Sequence, residues 1–256
     1  MDGGPSGATT TARTLLVLQQ LTNAAHPLSV QEIATATSIS TGEVHRVLVE
    51  LRQFGFAVQD PATSRYRTGH AAVGLGQEAR RRDALRTAGT PVIARLAALT
   101  GETTTLSARQ GYERCYVGQV ESMQEIRISV TLGERVSLVV GANGIVILAA
   151  LPDEDVEQVL RLPRPRLTSS TVTDEQVIRE RVRVARERGW ARSDGERVKH
   201  SASIAAAVLD RDGRPAGSLS VAYLAERADD DTIARLAEVV VEAAAEASAR
   251  LRDLDG

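Results

Sequence analysis

The sequence predicts an α+β protein in which a small helical unit precedes a larger mixed domain. Two Ser-x-x-Glu capping boxes, beginning at Ser29 and Ser40, and two short strand patterns after them predict the first unit. Beyond Gly101 the pattern changes to strands with helices at intervals, which predicts the larger domain. A length of 256 residues fits two domains.

The first unit is expected to cover residues 10–69, after residues 1–9, which are rich in Gly, Ser and Thr and expected to be disordered. Its second and third helices begin at the two capping boxes, and Gly55 is expected to end the third. Three helices followed by a hairpin form the layout of a winged helix-turn-helix. The predicted elements are helices 11–24, 30–37 and 40–54 and strands 56–60 and 65–69.

The third helix has one apolar stripe and a mixed opposite side. On one interpretation the mixed side is simply solvated, and Arg46 pairs with Glu43 and Glu50 for a few tenths of a kcal/mol each. On the other it enters a DNA groove. The stripe holds Val44, Val47, Leu48 and Leu51, and the opposite side holds Gly42, Arg46, Val49 and Gln53.

We favour the DNA interpretation because of the whole arrangement. Gly42 weakens a first helical turn by up to ~1 kcal/mol relative to Ala, which makes sense if a phosphate or base edge approaches the backbone. Arg46 can donate two hydrogen bonds to guanine. Arg65 and Arg67 alternate along the second strand, so both are expected to point to one side, where the wing contacts the sugar–phosphate backbone or the minor groove. The expected DNA-contacting residues are Ser40, Thr41, Gly42, Glu43, His45, Arg46, Arg52, Arg65 and Arg67.

After a linker helix, expected over residues 70–85, the larger domain is expected to cover residues 86–256. A polar loop over 166–172 precedes a long helix, and RDGRP forms the turn between two late strands. The predicted strands are 103–109, 114–121, 125–130, 202–210 and 216–224, and the predicted helices are 86–99, 141–151, 152–160, 174–188 and 230–252.

Composition narrows the function classes. The net charge of −2 does not mark a general nucleic-acid binder, so any DNA contact must come from a local patch. Cys115 is the only cysteine, which excludes an intrachain disulfide and a multi-cysteine zinc site. The four histidines lack metal-ligand spacing, so we expect no metal, no cofactor and no catalytic residues. Without an apolar span or a signal peptide, a cytoplasmic protein away from membranes is expected.

The chain resembles the IclR-type family of bacterial transcription regulators from about Thr14 to Arg252. The resemblance implies a winged-helix DNA-binding domain, a linker helix and a GAF/PAS-like effector-binding domain. It also implies dimers or dimers of dimers and a small-metabolite effector, often a carboxylic acid. The stretches that carry it are LSVQEIA (28–34), VHRVLVELRQFGFAVQD (44–60), YRTGHAAVGLG (66–76), TGETTTLS (100–107), GERVSL (133–138) and RERGWARSDGE (186–196).

The chain departs from the family pattern at both expected sites. The third helix begins with Thr41, Gly42 and Glu43 where the family usually has a Lys-Ser-Thr-like start. After GERVSL, the expected pocket wall has lost a histidine and a lysine. Later, Ala207 stands where the family has a proline. The operator sequence therefore does not follow from the family pattern, and the effector is expected to be unusual or absent.

The expected effector site starts at Gly141-Ala-Asn-Gly144, a turn that opens a helix and, by the resemblance, borders the pocket. Its free N–H groups suit a ligand carboxylate. Serine hydroxyls on the two late strands can bind a ligand, although serines paired locally are the simpler interpretation from the residues alone. The expected effector-binding residues are Gly141, Ala142, Asn143, Gly144, Asp194, Ser203 and Ser220.

The sequence thus predicts a regulator that binds double-stranded operator DNA as a homodimer or dimer of dimers and responds to a small organic acid. A palindromic operator is expected because two-fold dimers match paired half-sites, and repression is favoured over activation. The alternative is an enzyme that converts a small acid in the C-terminal pocket while the N-terminal domain only docks it. Against the enzyme stands the lack of a paired acid and base or of a metal constellation.

Overall fold

A computed structural model describes residues 9–81 and 83–254, without the side chains of residues 80 and 81. The chain forms two compact units, Met1–Arg82 and Asp83–Gly256. The predicted α+β class, with a helix-turn-helix unit before a sheet domain, is confirmed. Of the stretch predicted to be disordered, residues 1–8 lie outside the described residues.

The first unit is a trihelical core with a small wing. Leu28 bridges to Tyr66, so the wing is joined to the segment between the first two helices. Its helices are α1 (Thr10–Asn23), α2 (Val30–Thr37), α3 (Thr41–Gln53) and α4 (His70–Arg81), and its antiparallel strands are β1 (Ala57–Gln59) and β2 (Tyr66–Thr68).

The two predicted capping boxes differ in the structure. Around Ser29 both halves form, because its hydroxyl accepts the N–H of Glu32 and the Glu32 carboxylate accepts the N–H of Ser29. At Ser40 only the first half forms, and the Glu43 carboxylate accepts the Ser40 hydroxyl instead. Gly55, at φ +74°, follows α3 in the left-handed region, as expected for a residue that ends a helix.

The second unit contains a six-stranded antiparallel sheet. The strands are β3 (Thr103–Gln110), β4 (Glu113–Val120), β5 (Arg135–Ser137), β6 (Ala191–Asp194), β7 (Ser201–Leu209) and β8 (Pro215–Leu224). Their order across the sheet is β5-β4-β3-β8-β7-β6. No helix in the described part of the chain has the length and apolarity needed to cross a bilayer. The helices are α5 (Ala84–Thr100), α6 (Gly141–Ala149), α7 (Asp153–Leu160), α8 (Glu175–Arg188) and α9 (Asp230–Leu254).

The prediction of a strand over residues 125–130 is wrong. Side chains, rather than a neighbouring strand, satisfy this backbone: Gln119 accepts the N–H of Val130 at 2.6 Å, and Thr103 donates to the carbonyl of Ile128 at 2.7 Å. Strand β6 was not predicted. It is the short edge strand after α8, and the alternation that marks a strand is brief there.

Different helices pack on the two faces of the sheet. One packs on α5 and α9, and the other packs on α6, with α7 and α8 beyond it. Along β8, alternate residues therefore meet different surroundings: Leu219 and Val221 lie in the α5/α9 core, and Ser220 faces Asn143 of α6. This alternation brings hydroxyl groups together beneath the start of α6.

Candidate DNA-contacting helix and ligand cavity

Helix α3 places its apolar stripe in the core of the first unit. Val44, Val47, Leu48 and Leu51 are buried there, as the periodicity predicts. On the opposite side the exposed residues are Thr41, Gly42, His45, Arg46, Val49, Glu50 and Gln53, and the N-cap Ser40 is exposed as well. Of the predicted DNA-contacting residues at the N-cap and on α3, all except Glu43 are therefore exposed.

The start of α3 has open space around its backbone. A Cβ atom built on Gly42 meets no heavy atom within 4 Å, so packing within the protein does not require glycine at this position. The Ser40 hydroxyl accepts a hydrogen bond from the N–H of Glu43, and the Ser40 carbonyl accepts one from the N–H of Val44. The N–H groups before Glu43 lie at the positive end of the helix dipole, where phosphate binds favourably.

The ion pairs of α3 differ from those that the solvated-face interpretation predicts. Glu43 forms an ion pair with Arg13 of α1, which ties the first turn of α3 to a neighbouring helix. Arg46 makes no ion pair or hydrogen bond with any residue that the structure describes, although Glu43 and Glu50 lie beside it. The Arg46 guanidinium is therefore available to a partner outside the unit.

The wing separates the two arginines that the sequence placed together. Arg65 precedes β2, and it donates to the Glu32 carboxylate and the Pro27 carbonyl, each at 2.8 Å. Arg67 is exposed within β2, where its only hydrogen bond within the described chain is a long 3.4 Å contact with the Thr68 carbonyl. Arg52 donates to Gln59 of β1 at 2.9 Å. Of the three, Arg67 is the freest to meet a phosphate.

Glu32 is held as a carboxylate far into the acid range. The N–H and hydroxyl of Ser29 lower its pKa most, with a smaller contribution from Arg65, from the ordinary 4.5 to about 2. One carboxylate thus serves both the α2 cap and the base of the wing.

In the second unit, the predicted effector residues at the start of α6 and on the late strands border a small cavity. Its volume is about 40 Å³, enough for a few atoms. Helix α6 and strands β3, β4, β6, β7 and β8 form its walls, together with the loop 195–200 and the segment around Val130. Of the predicted effector residues, Gly141, Ala142, Asn143, Ser203 and Ser220 line it.

A buried hydrogen-bond network holds the polar floor of this cavity. Asn143 donates to Ser220 at 3.0 Å and accepts from Ser218 at 2.9 Å, while Thr105 and Ser220 share a 2.8 Å hydrogen bond. On the neighbouring strands, Ser193 and Ser203 are 3.0 Å apart. The serines are thus paired locally, as the simpler interpretation of the sequence has it.

Two of the predicted residues lie elsewhere. Asp194 is exposed and pairs with Arg192 at 2.7 Å, whereas its neighbour Ser193 lines the cavity. Gly144 packs against the chain itself, because a Cβ there would lie 2.1 Å from the Leu138 carbonyl oxygen. The structure therefore does not bring Asp194 to the cavity, and it gives Gly144 a packing role.

A buried acid, Glu196, lies beside the cavity where Asp194 was expected. Its carboxylate accepts the N–H of Gly141 at 3.3 Å and pairs with Arg181 at 2.6 Å. The chain therefore supplies its own carboxylate to the first N–H of α6. In the sequence, Glu196 is the second acid of the DGE stretch, two residues after Asp194.

Arg114 is the residue that the sequence prediction missed. It is 2 % exposed and lies in the cavity wall, where it donates to Ser107 at 3.3 Å and stacks over the Tyr116 ring at 4.7 Å. Its Nε has no hydrogen-bond partner, and no described carboxylate forms an ion pair with it. Arg197, also in the wall, pairs instead with Glu134 at 2.9 Å. The available signal was a charged residue next to the apolar run Cys115–Val117 of a predicted strand.

Comparisons with known proteins cover both units. The family described as "Bacterial transcriptional regulator IclR C-terminal" matches residues 77–249, and "IclR helix-turn-helix domain" matches residues 10–61. The chain is 32 % identical to the HTH-type transcriptional regulator BhcR of Paracoccus denitrificans over 86 % of this chain and 80 % of that protein. It is 29 % identical to the HTH-type transcriptional repressor AllR of Klebsiella pneumoniae over 96 % of this chain and 90 % of that protein. A solved IclR transcriptional regulator from Alicyclobacillus acidocaldarius superposes with a TM-score of 0.83 at 25 % identity, over 94 % of this chain and 98 % of that one.

Proposed function

Since the chain belongs to the IclR family of bacterial transcriptional regulators, we propose that it represses an operator read by α3 and that a small carboxylate controls it. The family makes it a ligand-responsive, DNA-binding regulator and not an enzyme. Repression, the carboxylate and the contacting residues are our proposal. The repressor AllR, similar over 96 % of this chain, supports repression.

The observation that carries the effector proposal is the buried guanidinium of Arg114. An unpaired charge taken out of water costs several kcal/mol, and buried charges are normally paired. Arg114 lacks a carboxylate partner among the described residues and has a free Nε at the cavity. A small anion supplied from outside would complete the pair. The cavity volume of about 40 Å³ favours an acid of few carbon atoms.

We place the carboxylate between Arg114 and the start of α6. Gly141 is at φ +76°, and Arg114 Nη2 lies 3.9 Å from the Cβ position built on it. The N–H groups of Gly141 and Ala142 and the hydroxyls of Ser193, Ser203 and Ser220 border the same space. The ligand carboxylate would replace Glu196 as the acceptor of the Gly141 N–H. Binding would therefore move the loop that carries Glu196.

For DNA, we propose that α3 enters the major groove with its start against the backbone. Arg46 would contact base edges, helped by His45, and Ser40, Thr41 and Gly42 would approach a phosphate. Arg67 would contact the backbone from the wing. Arg65, Arg52 and Glu43 have partners within the unit, so we assign them to positioning the wing and α3.

We further propose a homodimer, or a dimer of dimers, on a palindromic operator in the bacterial cytoplasm, where the chromosome lies. A single reading helix contacts few base pairs, and a two-fold dimer doubles the site. Sedimentation of the full chain at micromolar concentration as a monomer alone would contradict this part of the proposal.

The effector proposal is tested by calorimetric titration of the full chain with pyruvate and with acetate, beside the variants Arg114→Gln and Arg214→Gln. Arg214 is an exposed control outside the cavity. We expect Arg114→Gln to weaken binding by roughly 30-fold or more, the cost of removing one partner of a buried charge pair. It should also leave the ligand-free chain at least as stable. Equal affinity in both variants, or no binding to the wild-type chain, would contradict the proposal.

A further inference from the structure

A second cavity lies on the opposite side of the sheet, between the end of α5 and the first half of α9. Its volume is about 350 Å³, within the usual range of small-molecule sites. It is lined by residues of these two helices, the end of β8 and the segment after it, and none of its lining residues belongs to the Arg114 cavity. It is therefore a separate space in the same unit.

Tyr223 of β8 forms part of its wall and carries an unsatisfied hydroxyl. The side chain is 1 % exposed, and its Oη has no hydrogen-bond partner in the described part of the chain. Buried hydroxyls are normally hydrogen-bonded, so this one needs an explanation. Burial raises the pKa of Tyr223 above its ordinary value, so the hydroxyl keeps its proton at neutral pH and can donate.

The charged residues in the lining of this cavity are two arginines and one glutamate, and Asp229, Asp230 and Asp231 lie in the adjoining segment of the chain. Arg227 contacts the Glu102 carboxylate at 3.5 Å and donates to the Ile126 carbonyl at 2.6 Å. Arg235 of α9 is exposed and forms no ion pair with any described residue. It lies close enough to Asp229 to add a small lowering of the pKa of that carboxyl, which the hydrogen bonds from Thr232 lower most. Two guanidinium groups thus share one carboxylate in the lining.

The remaining wall is mainly apolar, with Thr100 and Thr232 as its polar members. Leu99, which is 68 % exposed, and Leu236 and Val239 face the cavity from α5 and α9. An apolar wall with a cationic rim suits a molecule that has one anionic end and a hydrocarbon body. A dianion or a fully apolar ligand would match only part of this lining.

We propose that this cavity is a second ligand site, which binds a small amphipathic monocarboxylate of about six to eight carbon atoms, the size that fills such a volume. The carboxylate lies between Arg227 and Arg235 and accepts the hydroxyl proton of Tyr223 in a hydrogen bond. The hydrocarbon body packs on Leu99 and Leu236. Because the ligand bridges α5 and α9, its binding stiffens the contact between these two helices.

The test uses the full-length chain and hexanoate, followed by isothermal titration calorimetry. The variants are Tyr223→Phe, Arg235→Gln, Arg114→Gln and the exposed control Arg214→Gln. We expect about tenfold weaker hexanoate binding in Arg235→Gln and roughly threefold or more in Tyr223→Phe. Arg114→Gln and Arg214→Gln should bind hexanoate like the wild-type chain.

The Tyr223→Phe variant also separates a ligand role from a packing role. Removing a hydroxyl without a partner should leave the melting temperature of the ligand-free chain unchanged or higher. Wild-type hexanoate affinity in both Tyr223→Phe and Arg235→Gln would overturn the proposal. So would no hexanoate binding up to about 10 mM, or loss of binding in Arg114→Gln alone, which would place hexanoate in the other cavity.

Discussion

Replacing Gly42 with Ala should stabilise the free protein and weaken its hold on DNA. The residue lies in the first turn of α3, in a helical conformation, with no heavy atom within 4 Å of an added Cβ. The new methyl group therefore meets no clash inside the protein, and it points into the space that we assign to DNA. Opposite effects on stability and binding are the signature of a surface shaped for a partner.

The size of each effect follows from this environment. Alanine is favoured over glycine in helices by up to ~1 kcal/mol, so the free energy of unfolding should rise by roughly 0.5–1 kcal/mol. If a phosphate or base edge contacts the Gly42 backbone, the methyl group must push it away. We expect at least a tenfold loss of operator affinity, which is about 1.4 kcal/mol.

The assay pairs urea unfolding with fluorescence anisotropy on operator DNA. Gly76→Ala is the matched control, since Gly76 is also helical and its added Cβ also meets no atom within 4 Å. That control should gain similar stability and keep its DNA affinity. A Gly42→Ala variant that is more stable and binds the operator as tightly as the wild-type chain would refute the placement of DNA at this turn.

Three further predictions concern charged residues of the same unit. Arg46→Ala should cost roughly 1–3 kcal/mol of operator affinity, the range of a bidentate base contact, and a loss below about 0.5 kcal/mol in the anisotropy assay would exclude it as a base reader. Arg67→Gln should weaken binding to specific and random duplexes alike, and it should reduce the slope of log affinity against log salt concentration by about 1. An unchanged slope would show that Arg67 of the wing does not contact a phosphate. The lowered pKa of Glu32 means that its stabilising effect is complete above about pH 4.5 and is lost as pH falls towards 2. Glu32→Gln should therefore make the free energy of unfolding, followed by circular dichroism, depend less on pH in that window. Parallel acid curves for the variant and the wild-type chain would show that the Ser29 and Arg65 contacts do not persist in solution.

The local signals of the first unit were strong enough to predict its helices. Capping residues and a 3.6-residue apolar period act within one or two turns, so the boundaries of α2 and α3 follow from a few side chains. Partner choice does not follow in the same way. Glu43 pairs with Arg13, thirty residues away, and no local pattern distinguishes this from the i+3 pair with Arg46.

The cavity was predicted in outline, and its charged members were not. Strand pairing fixes which side chains share a face, and a shift of one residue moves a side chain to the other face. This is why Ser193 lines the cavity while Asp194 pairs outside it. The buried charge of Arg114 depends on which strands and helices close over it, and that is set by the whole sheet.

The most direct test of the central claim is fluorescence anisotropy of the full chain on the intergenic DNA beside its own gene, against a random duplex over a range of salt concentrations. A sequence-specific regulator should bind the intergenic DNA about a thousandfold or more tightly than random duplex at physiological salt. Equal, weak and steeply salt-dependent binding to both duplexes would mean contact between arginines and phosphates only, and it would contradict the assignment of α3 as a sequence reader.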